Sequence, residues 1–499
     1  MNILDLLLDF FSFSPQNGFL FTGISFWIFF CLVLGGLSLW YKNRRARNTF
    51  LFMCSLFFCY KTGGLFVFVL LLSVFLNHGI GKIIGRSSDT GSRNWLFIGV
   101  LLNLGLLVLF KYNVFFTQLW NALWGGGLPA IDYLSDGFSL AETASGRIFP
   151  AAVERLMPPV GLSFVTLHAI GYLADLKRGH TLPFAGVGDF GFYLLFFPRM
   201  FAGPLVRTEE FMGQMQGHYM LTRQEFSRAL SRILLGLVKA ALVAGFVDAH
   251  IVSPVFDNPD LFSGLEKWMA LYGFSIWIYC AFSGYTDMAA GISALLGFPL
   301  PDNFRSPYKA SSLTDFWRRW NITLHTWFKD YVYIPLGGNR HGLFRMVLAL
   351  LLTMLLAGLW YGAGLGFLLW AALHTGVLAL EKCCRWDAKV EQGRVLRLSG
   401  WFITFNLISF AWIFFRSGTL QSAADFFFGL FDPTDWGRIS VLDYTYGMAF
   451  LVMLAAFLVL IFVRERRKQT WLRTFEGLPL VLKFILTALT ATLLTLLEF

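Results

Sequence analysis

The chain has 499 residues, 56% of them in the hydrophobic set and only 14% charged, and its mean hydropathy is +0.61. Soluble domains run at about 45–50% apolar and about 25% charged, and so few charges cannot coat a core this apolar. Cytosolic, secreted, fibrous and disordered classes are excluded, leaving an all-α polytopic membrane protein. Lys and Arg number 40 against 30 acids, a net charge of +10. In a membrane protein this reads first as the cytoplasmic excess of basic residues that sets orientation, so no nucleic-acid partner is expected.

A bilayer crossing takes about 20 apolar residues. On that length, spanning helices are expected near 18–40, 48–65, 66–84, 95–115, 157–175, 227–250, 266–297, 343–361, 362–381, 398–416, 445–463 and 478–498, about 11–12 crossings. The run from Phe190 to Val206 is apolar but is punctuated by Pro198, Arg199 and Pro204. Broken, charged backbone survives at membrane depth only inside protein or beside a water-filled cavity, so this run reads as re-entrant or interfacial. Residues 1–499 show no inverted repeat and no soluble second domain, and read as one bundle. Asp5 and Asp9 open the chain with no basic region, so no cleavable signal peptide is expected.

Basic clusters lie at 42–47, 382–397 and 464–473, and acid-leaning loops at 132–142 and 425–443. Threading the spans with the N-terminus outside puts all three basic clusters in the cytoplasm and both acidic loops outside. The six cysteines form no CxxC pair and sit mostly in apolar runs, as core residues. No Walker A, HExxH or GxSxG motif is present, and no metal site is expected.

The stretch from Asn303 to Arg345 breaks the apolar pattern. It holds Arg305, Lys309, Arg318, Arg319, Lys329, Arg340 and Arg345 against only Asp315 and Asp330. Ser311, Ser312 or Thr314 is expected to cap a helix running to about Ile334, where Pro335 and the pair Gly337–Gly338 end it. At helical spacing Phe316, Trp320, Leu324, Trp327, Phe328 and Tyr331 form one apolar stripe. Arg318, Asn321, His325 and Lys329 form the opposite face, with Asn321 and His325 as i,i+4 neighbours. Such a face suits an interfacial helix, or a basic, aromatic-lined site (Trp317 and Trp320 included) for a phosphate-bearing ligand.

His374 sits in the apolar helix after Gly362, Gly364 and Gly366, where an ionisable side chain is a functional candidate. His168, Asp175, Arg199 and Asp287 add intramembrane polar groups. They imply a polar cavity, or structural ion pairs such as Asp287 with Arg199.

The segments PPVGLSFVTLHAIGYLADLKRG, FFPRMFAGPLVR, YCAFSGYTDMAAGISALLGF, NFRSPYKASSLTDFWRRWNITLHTWFKDYVYIPLGGNR and AWIFFRSGTLQSA resemble the membrane-bound O-acyltransferases. The resemblance covers about 157–423 and is greatest to the bacterial subgroup that acetylates alginate and other polysaccharides. It implies a multi-helix bundle around a central tunnel in the bacterial inner membrane. Acetyl-coenzyme A, or another acyl-coenzyme A, would enter from the cytoplasm as a donor substrate, with no permanently bound cofactor. The acyl group would pass to an exported polysaccharide, or to a periplasmic acetyltransferase or acyl-carrier partner.

Two positions depart from the pattern. Bacterial relatives usually read RRWH where this chain reads Arg318-Arg319-Trp320-Asn321, and the histidine of a GLWHG-like hairpin is replaced by Tyr361. A phenol titrating near 10 is a poor base at neutral pH, whereas an imidazole near 6.5 suits the role. His374 matches a second histidine of the polysaccharide subgroup. The resemblance thus assigns catalysis to His374 or His325 with Asn321 and Tyr361, and the donor's tunnel to Arg199, Asp287, Arg305, Lys309, Trp317, Arg318, Arg319, Trp320 and Lys329. Loss of the hairpin histidine also raises the alternative of a catalytically degenerate scaffold or acyl conduit. A polysaccharide transporter is a further alternative.

Overall fold

The computed structural model describes residues 20–127, 161–200, 203–218, 220–390, 393–432 and 444–462, with a few positions between 474 and 482. The described residues are helical and contain no strand, as the composition requires. The chain divides into two compact units, 1–221 with 293–300 and 222–292 with 301–499.

In the first unit the helices are α1 (Ile24–Trp40), α2 (Arg44–Gly63), α3 (Val67–Ile84), α4 (Asp89–Leu107), α5 (Asn113–Trp124), α6 (Leu162–Lys177), α7 (Val187–Leu195) and α8 (Thr208–Gln216). Asn43 caps α2 through its side-chain oxygen, which accepts from the backbone N–H of Arg45 and Ala46. Gly64, at φ +55°, lets the chain turn after α2 before it re-enters α3. The predicted spans at 48–65 and 66–84 therefore run on as one apolar stretch, Arg44–Ile84. Two members of the first basic cluster are consumed structurally. Buried Arg47 donates to the carbonyls of Met215 at 2.8 Å and Gly217 at 3.1 Å, and Arg44 donates to Gln216 O at 2.7 Å. These carbonyls end α8, where cations complement the helix dipole.

The run from Phe190 to Val206 is broken, as its prolines require. Helix α7 has nine residues, roughly 14 Å long, too short to cross a bilayer. A single 3₁₀ turn at Phe197–Arg199 follows it, and the helix from Phe190 onward and the turn are buried in the unit.

The second unit contains α9 (Arg223–Leu237), most of α10 (Gly264–Leu295), α11 (Leu313–Trp317), α12 (Ile322–Phe328), α13 (Gly342–Tyr361), α14 (Leu365–Cys384), α15 (Arg394–Arg416), α16 (Leu420–Gly429) and α17 (Tyr444–Phe462). Helices α9 and α10 touch backbone to backbone: a Cβ on Gly284 would stand 2.7 Å from Gly236 O and 2.8 Å from Ala240 N. Beside this contact the Asp287 carboxylate accepts from Lys239 Nζ at 2.7 Å and from Arg232 Nε at 3.0 Å, and Arg232 also reaches Asp302 at 2.6 Å. Asp287 is thus held by α9 and its continuation, and the expected pairing with Arg199 is not the one formed. A backbone contact this close leaves room for short cross-helix ion pairs and little else.

Six described stretches are long and apolar enough to span a membrane, among them Leu343–Tyr361, Leu365–Cys384 and Arg394–Arg416, and many of their apolar side chains face outward. Outward apolar faces on such helices are what a lipid solvent selects. The predicted span at 478–498 lies almost wholly outside the described residues.

Candidate active site

The charge-rich stretch folds as two short helices, a correction to the single helix expected from its periodicity. Helix α11 ends at Trp317, and Asn321 takes the left-handed conformation at φ +42° before α12 begins. The cause is tertiary. Buried Asn303 accepts from Ile322 N at 2.9 Å with its carbonyl, and from Thr323 N at 3.0 Å and Thr323 Oγ1 at 2.7 Å with its side chain. Those donors are lost to any helix running through Asn321. Asn tolerates the left-handed region better than most residues, which fits its place at the break.

Helix α11 is too short to be stable alone and is anchored from outside. Ser312 Oγ accepts from Asp315 N at 3.1 Å. Buried Glu381 of α14 accepts from Leu313 N at 2.6 Å, Thr314 N at 2.9 Å and Thr314 Oγ1 at 2.8 Å. A carboxylate at a helix N-terminus both satisfies the free N–H groups and complements the dipole. The predicted apolar stripe survives the break: Phe316, Trp320, Leu324, Trp327 and Phe328 are all buried.

A cavity of about 230 Å³ opens beside these helices. Arg318, Lys329 and Lys382 contribute its cations, and Leu324, Phe328, Met346, Leu350, Met354 and Leu378 its apolar wall. Trp317, His325 and Tyr361 also line it. The His325 ring lies nearly parallel to Trp317, centroids 5.9 Å apart. Burial, aided by the neighbouring Lys329 and Arg318, pushes the His325 imidazole down to about 4, so it is neutral at neutral pH.

The two positions that depart from the RRWH and GLWHG patterns meet in space. Asn321 Nδ2 donates to Tyr361 Oη at 3.2 Å. His374 is fully buried, and its ring packs on Trp370 at 4.4 Å and Trp317 at 5.7 Å. Its Nδ1 lies 2.9 Å from Trp370 O. A carbonyl only accepts, so Nδ1 carries the proton and Nε2 presents a lone pair, with no hydrogen-bond partner among the described residues.

Other predicted site residues fall elsewhere. Arg319 is paired with Asp315 at 2.9 Å, Arg305 is exposed and Lys309 half-buried, and none of the three lines the cavity. Asn321 and Trp320 stand behind the lining, Asn321 through its bond to Tyr361. Asp287 belongs to the ion-pair node described above. Arg199 is buried in the first unit between the rings of Tyr193 and Phe211, 4.8 and 4.7 Å from its guanidinium. The local sequence pattern does not single out Lys382 or Glu381. Lys382 opens a basic cluster that reads as topology alone, and Glu381 acts only through a helix 67 residues or more away along the chain.

The model of the MBOAT, membrane-bound O-acyltransferase, family matches residues 188–417. A probable alginate O-acetylase of Azotobacter vinelandii is 34% identical over 362 residues, 72% of this chain and 68% of that protein. The probable alginate O-acetylase of Pseudomonas aeruginosa is 32% identical over 440 residues, covering 86% and 79% of the two chains. The chain belongs to the membrane-bound O-acyltransferase family. A peptidoglycan O-acetyltransferase of Helicobacter pylori is also similar, 30% identical over 437 residues, 82% of this chain and 77% of that one. The protein is an O-acyltransferase, and the matched region holds the cavity, the Asn321–Tyr361 pair and both candidate histidines.

Proposed function

We propose that this membrane-bound O-acyltransferase takes an acyl group, acetyl above all, from cytoplasmic acyl-coenzyme A and passes it outward for O-acetylation of an exported polysaccharide such as alginate or cellulose. A periplasmic acetyltransferase or acyl-carrier protein is the expected partner on the far side. One observation carries this reading: an apolar cavity bearing Arg318, Lys329 and Lys382 has a neutral histidine on its wall. The cations suit the phosphates of the coenzyme, and the apolar wall suits its pantetheine arm and thioester. Lys382 begins the basic cluster that the charge pattern assigns to the cytoplasm.

His325 is the proton acceptor in this reading. It faces the cavity, whereas His374 is buried behind it and acts as a positioning residue that packs on Trp317. The similarity to alginate O-acetylases and to a peptidoglycan O-acetyltransferase supports a glycan as final acceptor.

The test is purified protein in lipid nanodiscs, supplied with acetyl-coenzyme A and with longer acyl analogues while free thiol is followed. Thiol release that favours acetyl and falls at least tenfold in His325→Ala is expected. Release unaffected by His325→Ala would remove the base assignment. Donor binding with no release at all is the behaviour of a scaffold, and would overturn the reading.

A further inference from the structure

We propose that Tyr361 is the electrophilic catalyst of this site: its phenol O–H holds the carbonyl oxygen of the bound thioester and stays protonated throughout. The inference rests on the reading of the cavity as the acyl-donor site. Asn321 has its amide nitrogen 3.2 Å from Tyr361 Oη, and an amide N–H only donates, so the phenol oxygen is the acceptor. With its oxygen accepting from Asn321, the phenol's own proton points elsewhere. Tyr361 lines the cavity, so the cavity is the open direction.

Donation from Asn321 also polarises the phenol and makes it a stronger donor. Tyr361 acts as a donor and not as a base, because a phenol that ordinarily titrates at about 10 keeps its proton at neutral pH. Asn321 in turn is fixed by the left-handed break that Asn303 imposes on the chain. The dyad is therefore built by tertiary contacts and aimed by them. An indole adds to it, since Trp317 lines the cavity and its Nε1 is buried with no hydrogen-bond partner among the described residues.

The acceptor oxygen forms a bond to the thioester carbon while its proton passes to His325. The carbonyl π pair moves onto oxygen, where the hydrogen bond donated by the Tyr361 O–H strengthens as charge develops. The C=O bond then re-forms, the C–S bond breaks with its pair on sulfur, and the proton on His325 passes to the departing thiolate. Tyr361 neither gains nor loses a proton, so a donor does work here that a histidine base would do differently.

The experiment uses a non-reactive ketone analogue of acetyl-coenzyme A, with a methylene between sulfur and the carbonyl and a ¹³C label on that carbonyl. Isotope-edited infrared difference spectra are recorded with the full-length protein in nanodiscs. The bound carbonyl band is expected at lower frequency than in water with the wild type, and near its value in an apolar solvent with Tyr361→Phe. Asn321→Leu is expected to fall between. Turnover of acetyl-coenzyme A by Tyr361→Phe is expected to drop about 10²- to 10³-fold in kcat with KM within about twofold. An analogue that binds equally to both proteins with the same carbonyl frequency overturns the assignment while leaving the cavity as the donor site. An analogue that fails to compete with acetyl-coenzyme A for the wild type overturns the reading of the cavity, and this inference with it.

Discussion

Removing the Glu381 carboxylate should loosen the wall of the cavity, even though Glu381 does not line it. Its two oxygens take three hydrogen bonds, from Leu313 N, Thr314 N and Thr314 Oγ1, at 2.6–2.9 Å. Glu381→Ala leaves those donors without an acceptor, and a buried unsatisfied donor costs about 1–3 kcal/mol. Leu313 is fully buried but Thr314 is part-exposed and can be rehydrated, so the expected loss is about 3–5 kcal/mol rather than the full sum. Glu381→Gln keeps one acceptor oxygen and sets an N–H against a donor, for a loss of about 1–2 kcal/mol. Helix α11 carries Trp317 and leads into Arg318, so both variants should also lose turnover in the same order. Thermal unfolding in nanodiscs, run beside thiol release, should rank wild type above Gln above Ala. A Glu381→Ala protein with wild-type melting and turnover would refute the argument that this carboxylate anchors the site.

Because His325 is held down to about 4, the acid limb of kcat/KM should lie near that pH and not near 6.5, as a pH profile between 3.5 and 8 would show. The sign for stability follows from the same shift: between about 4 and 6.5 the unfolded chain binds the proton and the folded chain does not, so stability falls as pH drops through that window. The loss is at most about 3 kcal/mol, less where cavity water screens the ring, and should vanish in His325→Gln. Substituting Arg318, Lys329 or Lys382 by Gln should raise KM for acetyl-coenzyme A about 2- to 10-fold each with little change in kcat. Acetyl-pantetheine, which lacks the phosphates, should not sense these changes; equal effects on both donors would remove the phosphate role. Gly284→Ala should push α9 from α10, since the new methyl would stand 2.7 Å from Gly236 O, and cost about 1–3 kcal/mol in a denaturation series.

Much of the architecture is legible in the chain because lipid imposes a simple rule. Backbone polar groups must be satisfied within the segment, so apolar runs become helices and their lengths mark the crossings. The broken run at Phe190–Val206 is legible for the same reason, since Pro198 and Pro204 cannot continue a helix. The motifs also announce the family, and the apolar stripe from Phe316 to Phe328 is buried as its spacing requires.

Composition, length and motif alone thus determine an all-α membrane O-acyltransferase and the stretch that carries its charges. Only the tertiary structure decides which of those charges share a space. Periodicity extends one helix through Asn321, but Asn303 takes the donors that helix needs and turns the chain there. That turn sets Asn321 against Tyr361, pairing two departures that stand 40 residues apart in the chain. It also leaves His325, not His374, on the cavity wall. The physical reason is range: helical periodicity reports neighbours within one segment, whereas hydrogen bonds from Asn303, Glu381 and Asn321 are made between segments, and no local pattern encodes them.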